Sequence, residues 1–283
     1  PVDLGEPQQR LVLALLLADA GSVVSTDKLV DGIWGERPPE SGRKIVQGYV
    51  SRLRKALGDG DTIESRSPGY RLNVKPEQID AYVFEQLAAE GASQVTKDPQ
   101  HARQILGEAL SLWRGSPYED LADEDVLRPE ITRLEQLRAA AVEARIEADI
   151  RSGQHSAVTA ELADLTGRLP LRERLWSLRM LALYRSGRQS EALRIYDEAR
   201  RILATEVGLE PSAELRLLEQ RILDQDPVLE TLAAFEPEAA IATREPSWSR
   251  CCVRAGISRI GSPARIIWRV GSCRLVIARC LSM

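Results

Sequence analysis

Histidine is almost missing from this chain: His101 and His155 are the only two among 283 residues. Both lie in polar, helical or turn-adjacent sequence where a solvated surface is the default, so imidazole chemistry has little to build on. Phenylalanine and methionine are just as scarce, and aromatic residues make up only 5% of the chain. The four cysteines, Cys251, Cys252, Cys273 and Cys280, all fall in the last part. Their spacing lacks the paired C-x2–4-C of a zinc site. No uninterrupted apolar stretch approaches the roughly 20 residues a membrane span needs, and no secretory signal is visible. The motifs H-E-x-x-H, G-x-S-x-G, G-x-G-x-x-G and G-x-x-x-x-G-K-[ST] are absent. Carboxylates abound, but they alternate with arginines, as in Arg133-Leu134-Glu135 and Glu143-Ala144-Arg145, a pattern of surface pairing along helices. The expectation is a cytoplasmic protein without catalytic residues, cofactor, metal or membrane contact.

Charge is unevenly spread. Residues 1–75 hold 11 Lys/Arg against 10 Asp/Glu, residues 76–243 hold 19 against 31, and residues 244–283 hold 8 arginines against Glu245 alone. The acidic middle is unsuited to nucleic acid and should face a protein partner or solvent. Any contact with a polyanion belongs to the first part.

That first part carries the most telling segment. Between Ser41 and Gly58 there are five basic residues and no acidic one. At about 100° per residue, Val46, Val50, Leu53 and Leu57 form one apolar stripe. Lys44, Gln47, Gly48, Ser51 and Lys55 lie opposite, flanked by Arg52 and Arg54. A basic polar face with a glycine in its middle suits close approach to a phosphate backbone and groove. A basic helical face alone is as readily a solvated surface; its neighbours argue otherwise. Upstream, Gln9 to Ala20 reads as an apolar helix stopped at Gly21. Val23-Val24 reads as a short extended piece, with Ser25 or Thr26 placed to cap a second helix over residues 27–34. Pro38-Pro39 forces a loop. Residues 62–65 and 70–73 read as strands joined by a Pro-Gly turn. Three helices and a hairpin give the order of a winged helix.

The stretch from Val50-Ser51-Arg52-Leu53-Arg54-Lys55-Ala56-Leu57 to Gly69-Tyr70-Arg71-Leu72 resembles the recognition helix and wing of OmpR-type DNA-binding domains. Together with Pro1 to Gly5, Val24 to Asp31 and Trp34-Gly35, it resembles the Streptomyces antibiotic regulatory protein family. That resemblance implies a helix entering a major groove, with Arg71 of the wing reaching the neighbouring minor groove or backbone. It implies promoter direct repeats as the target, RNA polymerase as a partner, and a second copy of the chain on the same DNA. The expected DNA contacts are Lys44, Gln47, Ser51, Arg52, Arg54 and Lys55, with Arg66 and Arg71 on the wing. Arg52 or Arg54 is the expected base reader, because a guanidinium can form two bonds to guanine, and the lysines are expected on phosphate.

The middle contains a repeat. Arg151-Ser152-Gly153 recurs as Arg185-Ser186-Gly187, 34 residues later, the period of tetratricopeptide helical hairpins. Val158, Leu162 and Leu165 fall in register with Ala192, Tyr196 and Ala199, and Val142 and Ile146 with Trp176 and Met180. Further helices are expected over residues 79–91, 100–113, 125–150 and 212–223. Ala109 to Gly115, Leu171 to Leu175, Ala182 to Leu193 and Gly208 to Pro211 resemble the bacterial transcriptional activator domain. The fold class expected is therefore mainly α: a winged helix over residues 1–75, then a tetratricopeptide-like all-α domain over 76–227. Residues 228–283 are expected to be a linker and a disordered or out-of-frame basic tail, with no helical or strand period.

Two departures from the family pattern shape the expectations. The chain starts at Pro1 inside what resembles the family's N-terminal sheet, so Leu11 and Leu15 are expected to lack cover, which weakens DNA binding. The arginine- and cysteine-rich tail is the other. Two competing readings stay open at this point: a helical scaffold that keeps only its protein contacts, and a sensor whose helical domain binds a small metabolite.

Overall fold

The computed structural model describes residues 4–58, 61–229, 265–270 and 273–278. It has two compact units, and neither is continuous in the chain. The first takes the residues up to Gln86 together with Ser111–Leu137; the second takes Leu87–Leu110 and residues 138–229.

In the first unit, helix α1 (Pro7–Ala18) has proline at its start, where the missing N–H leaves no bond unmade. Strand β1 (Val23–Ser25) leads into α2 (Thr26–Trp34), and the Ser25 hydroxyl accepts the Lys28 N–H at 3.1 Å as its cap. Helix α3 (Gly42–Leu57) follows the proline loop, and then β2 (Ile63–Arg66) and β3 (Gly69–Leu72) form the hairpin. The short extended piece at Val23 is a true strand. It pairs antiparallel with β3, Val24 opposite Tyr70, so the sheet runs β1-β3-β2. Gly69 makes that pairing possible, since a Cβ there would sit 1.9 Å from the Val24 carbonyl oxygen.

Leu11 and Leu15 are not short of cover: they are 1% and 4% exposed. They share one core with Val46, Val50 and Leu53 of α3, with Leu72 of β3, and with Tyr118, Leu121, Leu127 and Leu134. A segment about a hundred residues further along the chain thus joins α2, α3 and β3 in the core that holds both leucines. Arg10 of α1 pairs with Asp120 of that segment at 2.6 Å. Each leucine so buried keeps about 1.5–3 kcal/mol of hydrophobic stabilisation. The same packing explains why the units cut across the division at residue 75 that the sequence suggests.

The second unit is all helix. Helices α4 (Asp80–Gln94) and α6 (Arg128–Arg151) contribute residues to both units, and α5 (Pro99–Ser111) belongs mainly to the second. Then come α7 (Thr159–Arg168), α8 (Glu173–Arg185), α9 (Gln189–Glu206) and α10 (Ala213–Leu223). The repeat is structural: Gly153 and Gly187 both hold positive φ, 82° and 73°, at the turns between paired helices. Its matched apolar positions, Ile146 with Met180, Val158 with Ala192 and Leu162 with Tyr196, are all buried in one core.

An ionic network on α6 stands beside that core. Glu147 accepts from Arg151 Nε and Arg174 Nη2, both at 2.7 Å. Asp149 pairs with Arg103 at 2.6 Å and with Arg145 at 2.8 Å.

Most of the tail lies outside the described residues. Within it, β4 (Arg265–Val270) and β5 (Cys273–Ala278) pair antiparallel, which corrects the expectation of no strand there. Two runs rich in Ile and Val separated by Gly271-Ser272 are a hairpin signal that the arginine periodicity obscured.

Candidate nucleic-acid interface

Helix α3 is held by its apolar side. Val46, Tyr49, Val50, Leu53 and Leu57 are buried, which fixes the rotation of the helix and turns the opposite side outward. On that outer side Lys44, Gln47, Ser51 and Lys55 are all exposed. Their side chains make no hydrogen bond or ion pair among the described residues. Spaced at i, i+3, i+7 and i+11, they form one stripe along the helix, with Gly48 between them. Two solvated ammonium groups, an amide and a hydroxyl are left with unused donors. Such a surface can bond a polyanion and its adjoining polar edges without first breaking a bond of its own.

The arginines on either flank are differently placed. Arg54 donates Nε and Nη2 to the Ile63 carbonyl at 2.8 and 2.6 Å, and Nη2 also reaches the Ser65 hydroxyl at 3.0 Å. It ties α3 to the wing strand β2. Arg52 donates Nε to Gln9 Oε1 at 2.8 Å, and its guanidinium lies 5.0 Å over the Tyr49 ring. Base reading was the role expected of one of these two residues. The structure bonds Arg54 to β2 through Nε and Nη2 and Arg52 to α1 through Nε alone, and Arg52 is otherwise exposed.

Gln9 itself is buried and donates Nε2 to the Leu4 carbonyl at 2.8 Å, while Tyr49 donates its hydroxyl to Gln8. These two glutamines orient α3, and sequence reasoning missed them. Their signal was present: two polar residues in the first turn of an otherwise apolar helix. Arg43, at the start of α3, pairs with Asp27 at 2.7 Å, both side chains well exposed, a contact of small energetic weight.

On the wing, Arg66 Nε and Arg71 Nη2 converge on one oxygen of Glu64, at 3.0 and 2.8 Å. Arg71 stands directly opposite Glu64 across the β2–β3 ladder. The hydrogen bond from Arg66, and then that from Arg71, hold the Glu64 carboxyl below its ordinary range. The wing is thus partly neutralised, whereas Lys44 and Lys55 of α3 remain open. The turn of the wing is anchored as well: the Pro68 carbonyl accepts the Thr26 N–H at 3.2 Å, satisfying a donor at the start of α2.

Residues 2–72 match the family described as "Transcriptional regulatory protein, C terminal", and residues 79–223 match "Bacterial transcriptional activator domain". The regulatory protein DnrI of Streptomyces peucetius is 38% identical over 244 residues, covering 82% of this chain and 89% of DnrI. This chain belongs to the Streptomyces antibiotic regulatory protein family of transcriptional regulators. Another member, the regulatory protein AfsR of Streptomyces coelicolor, is 41% identical over 245 residues, covering 86% of this chain and 24% of AfsR. The chain therefore spans about a quarter of the length of AfsR. Among solved structures, Mycobacterium tuberculosis EmbR, in complex with a low-affinity phosphopeptide, superposes with a TM-score of 0.79 at 36% identity. That match covers 82% of this chain and 64% of the EmbR chain. The mainly helical architecture, winged helix first and helical repeats after, is the family's.

Among the described residues no group of three or more His, Cys, Asp or Glu is placed to hold a metal ion. None of the helices searched is long and apolar enough to cross a membrane.

Proposed function

We propose that this chain is a sequence-specific DNA-binding transcriptional activator acting in the cytoplasm, with no enzymatic activity of its own. Helix α3 lies in a major groove of promoter direct repeats, and the wing rests against the neighbouring backbone. The helical unit contacts RNA polymerase or a second copy of the chain. The observation that carries this reading is the exposed, unpartnered stripe Lys44-Gln47-Ser51-Lys55 on a helix whose other side is locked into a core. Membership in a family of transcriptional regulators supports it.

A metabolite sensor finds less support. On the helical unit a hollow of about 790 Å³ is an open groove lined almost wholly by charged side chains, among them Arg194, Glu198 and Arg201, unlike the enclosed apolar pockets that hold small molecules. The apolar cavity beside Phe84, Trp113 and Leu134, in the first unit, offers about 30 Å³.

A salt titration of binding by the full chain, to a direct-repeat duplex and to a random duplex, tests the proposal. Tight binding that favours the repeat and falls steeply with salt is the expected result. Weak binding, equal on both duplexes, would overturn it and leave the helical scaffold as the function.

A further inference from the structure

Resting on the reading of α3 as a groove-binding helix, we propose that Gln47 and Gly48 form its base-reading centre. Gln47 recognises an adenine, Gly48 lets the helix backbone come close enough for it to do so, and Arg52 and Arg54 position the helix and wing.

The order of residues along the stripe carries the argument. Lys44 and Lys55 stand at its ends, eleven positions apart. At about 1.5 Å per residue that is roughly 16 Å of helix, more than the roughly 12 Å width of a major groove. The two ammonium groups therefore meet phosphates at the groove walls. The residues between them meet its floor, and these are short or neutral: Gln47, Gly48 and Ser51. A glutamine carboxamide matches one base edge in two bonds. Its Nε2 donates to adenine N7 and its Oε1 accepts from the N6 amino group. Ser51, a single hydroxyl, matches either donor or acceptor and discriminates less.

Gly48 is the second observation. Glycine is the poorest helix former after proline, so its place in the middle of a 16-residue helix needs a reason. Other glycines have one inside the protein: a Cβ at Gly91 would lie 2.6 Å from Leu106 Cγ, and one at Gly69 would collide with β1. A Cβ at Gly48 would meet nothing within 4 Å. Gly107 on α5 is equally open, so openness alone does not mark a site. Gly48 differs in lying between Lys44, Gln47, Ser51 and Lys55, the exposed side chains with unused bonds. The body that needs its missing Cβ is the one those side chains bond, the floor of the groove.

The arginines fit the complementary role. Arg54 is bonded to the Ile63 carbonyl and Ser65, and Arg52 Nε to Gln9, so each ties α3 to a neighbouring element.

Selection of bound duplexes from a random-sequence library by the full chain, by Gln47→Ala and by Gly48→Ala tests the proposal, with a melting curve for each. The wild type should enrich a motif containing a constant A·T pair. Gln47→Ala should lose preference at that pair alone. Gly48→Ala should melt no lower than the wild type and bind the motif about tenfold more weakly or worse. A motif unchanged in Gln47→Ala, or wild-type affinity in Gly48→Ala, would overturn this assignment while leaving DNA recognition intact. Failure of the wild type to enrich any motif would overturn the proposed function, and this inference with it.

Discussion

The two sides of the molecule's charge chemistry are opposites. In the helical unit, arginine is matched to carboxylate: Arg151 and Arg174 to Glu147, Arg103 and Arg145 to Asp149, Arg172 to Glu143, Arg188 to Glu191, Arg200 to Glu210. On the outer side of α3 the cations are lysines, they are exposed, and they have no counterpart. Charge that closes on itself holds helices together; charge left open is available to something outside. The chain's total of −4 conceals this, because it averages an acidic body whose arginines are largely paired with a locally open basic stripe.

The contrast can be broken first at its strongest point. Glu147 and Arg151 side chains are each only 6% exposed, and Glu147→Ala removes the buried carboxylate that Arg151 and Arg174 share. It should cost the helical unit about 3–5 kcal/mol, read as a shift of the denaturant midpoint, while the molecules that remain folded keep their DNA affinity. An unchanged midpoint would mean the network is not what holds α6 against α8.

Leu127→Ala sharpens the comparison from the other side. Leu127 is fully buried in the core shared with α1 and α3, and its truncation should cost about 2–5 kcal/mol. The winged helix and its DNA binding should then melt together. If the winged helix kept its stability, residues 111–137 would not be part of its core.

A smaller effect is expected on the wing. Glu64→Gln should release Arg66 and Arg71, strengthening binding to random DNA a few-fold and steepening its salt dependence, by the counterion logic of added phosphate contacts. The titration has a defined sign. Because the folded Glu64 carboxyl lies below 4.5, its pairing supports the wing above that pH and fades only as pH falls through the lowered value. Carboxyl NMR of the wild type should place the midpoint below 4.5, and Arg71→Ala should raise it.

Much of this was readable in the residues. The stripe of Val46, Val50, Leu53 and Leu57 announced α3 and its buried side, and the 34-residue recurrence of Arg-Ser-Gly announced the helical hairpins, because both are local periodicities. The contacts of Arg52 and Arg54 were not readable. Whether a flanking guanidinium points to solvent or to a neighbouring strand depends on where Gln9 and Ile63 arrive in space. The full core around Leu11 and Leu15 was invisible for the same reason, since Tyr118, Leu121 and Leu127, which share it, are distant in sequence. That Lys44, Gln47, Ser51 and Lys55 face outward was legible, because the apolar stripe fixes the opposite side inward.

The most direct test is the salt dependence of direct-repeat binding by the full chain and by the double variant Lys44→Ala/Lys55→Ala. If the two lysines contact phosphates, the slope of log affinity against log salt should become shallower by about 1.8, at roughly 0.9 per phosphate contact, with the melting temperature unchanged. An unchanged slope would contradict the account, because the open stripe of α3 would then not be where this protein meets DNA.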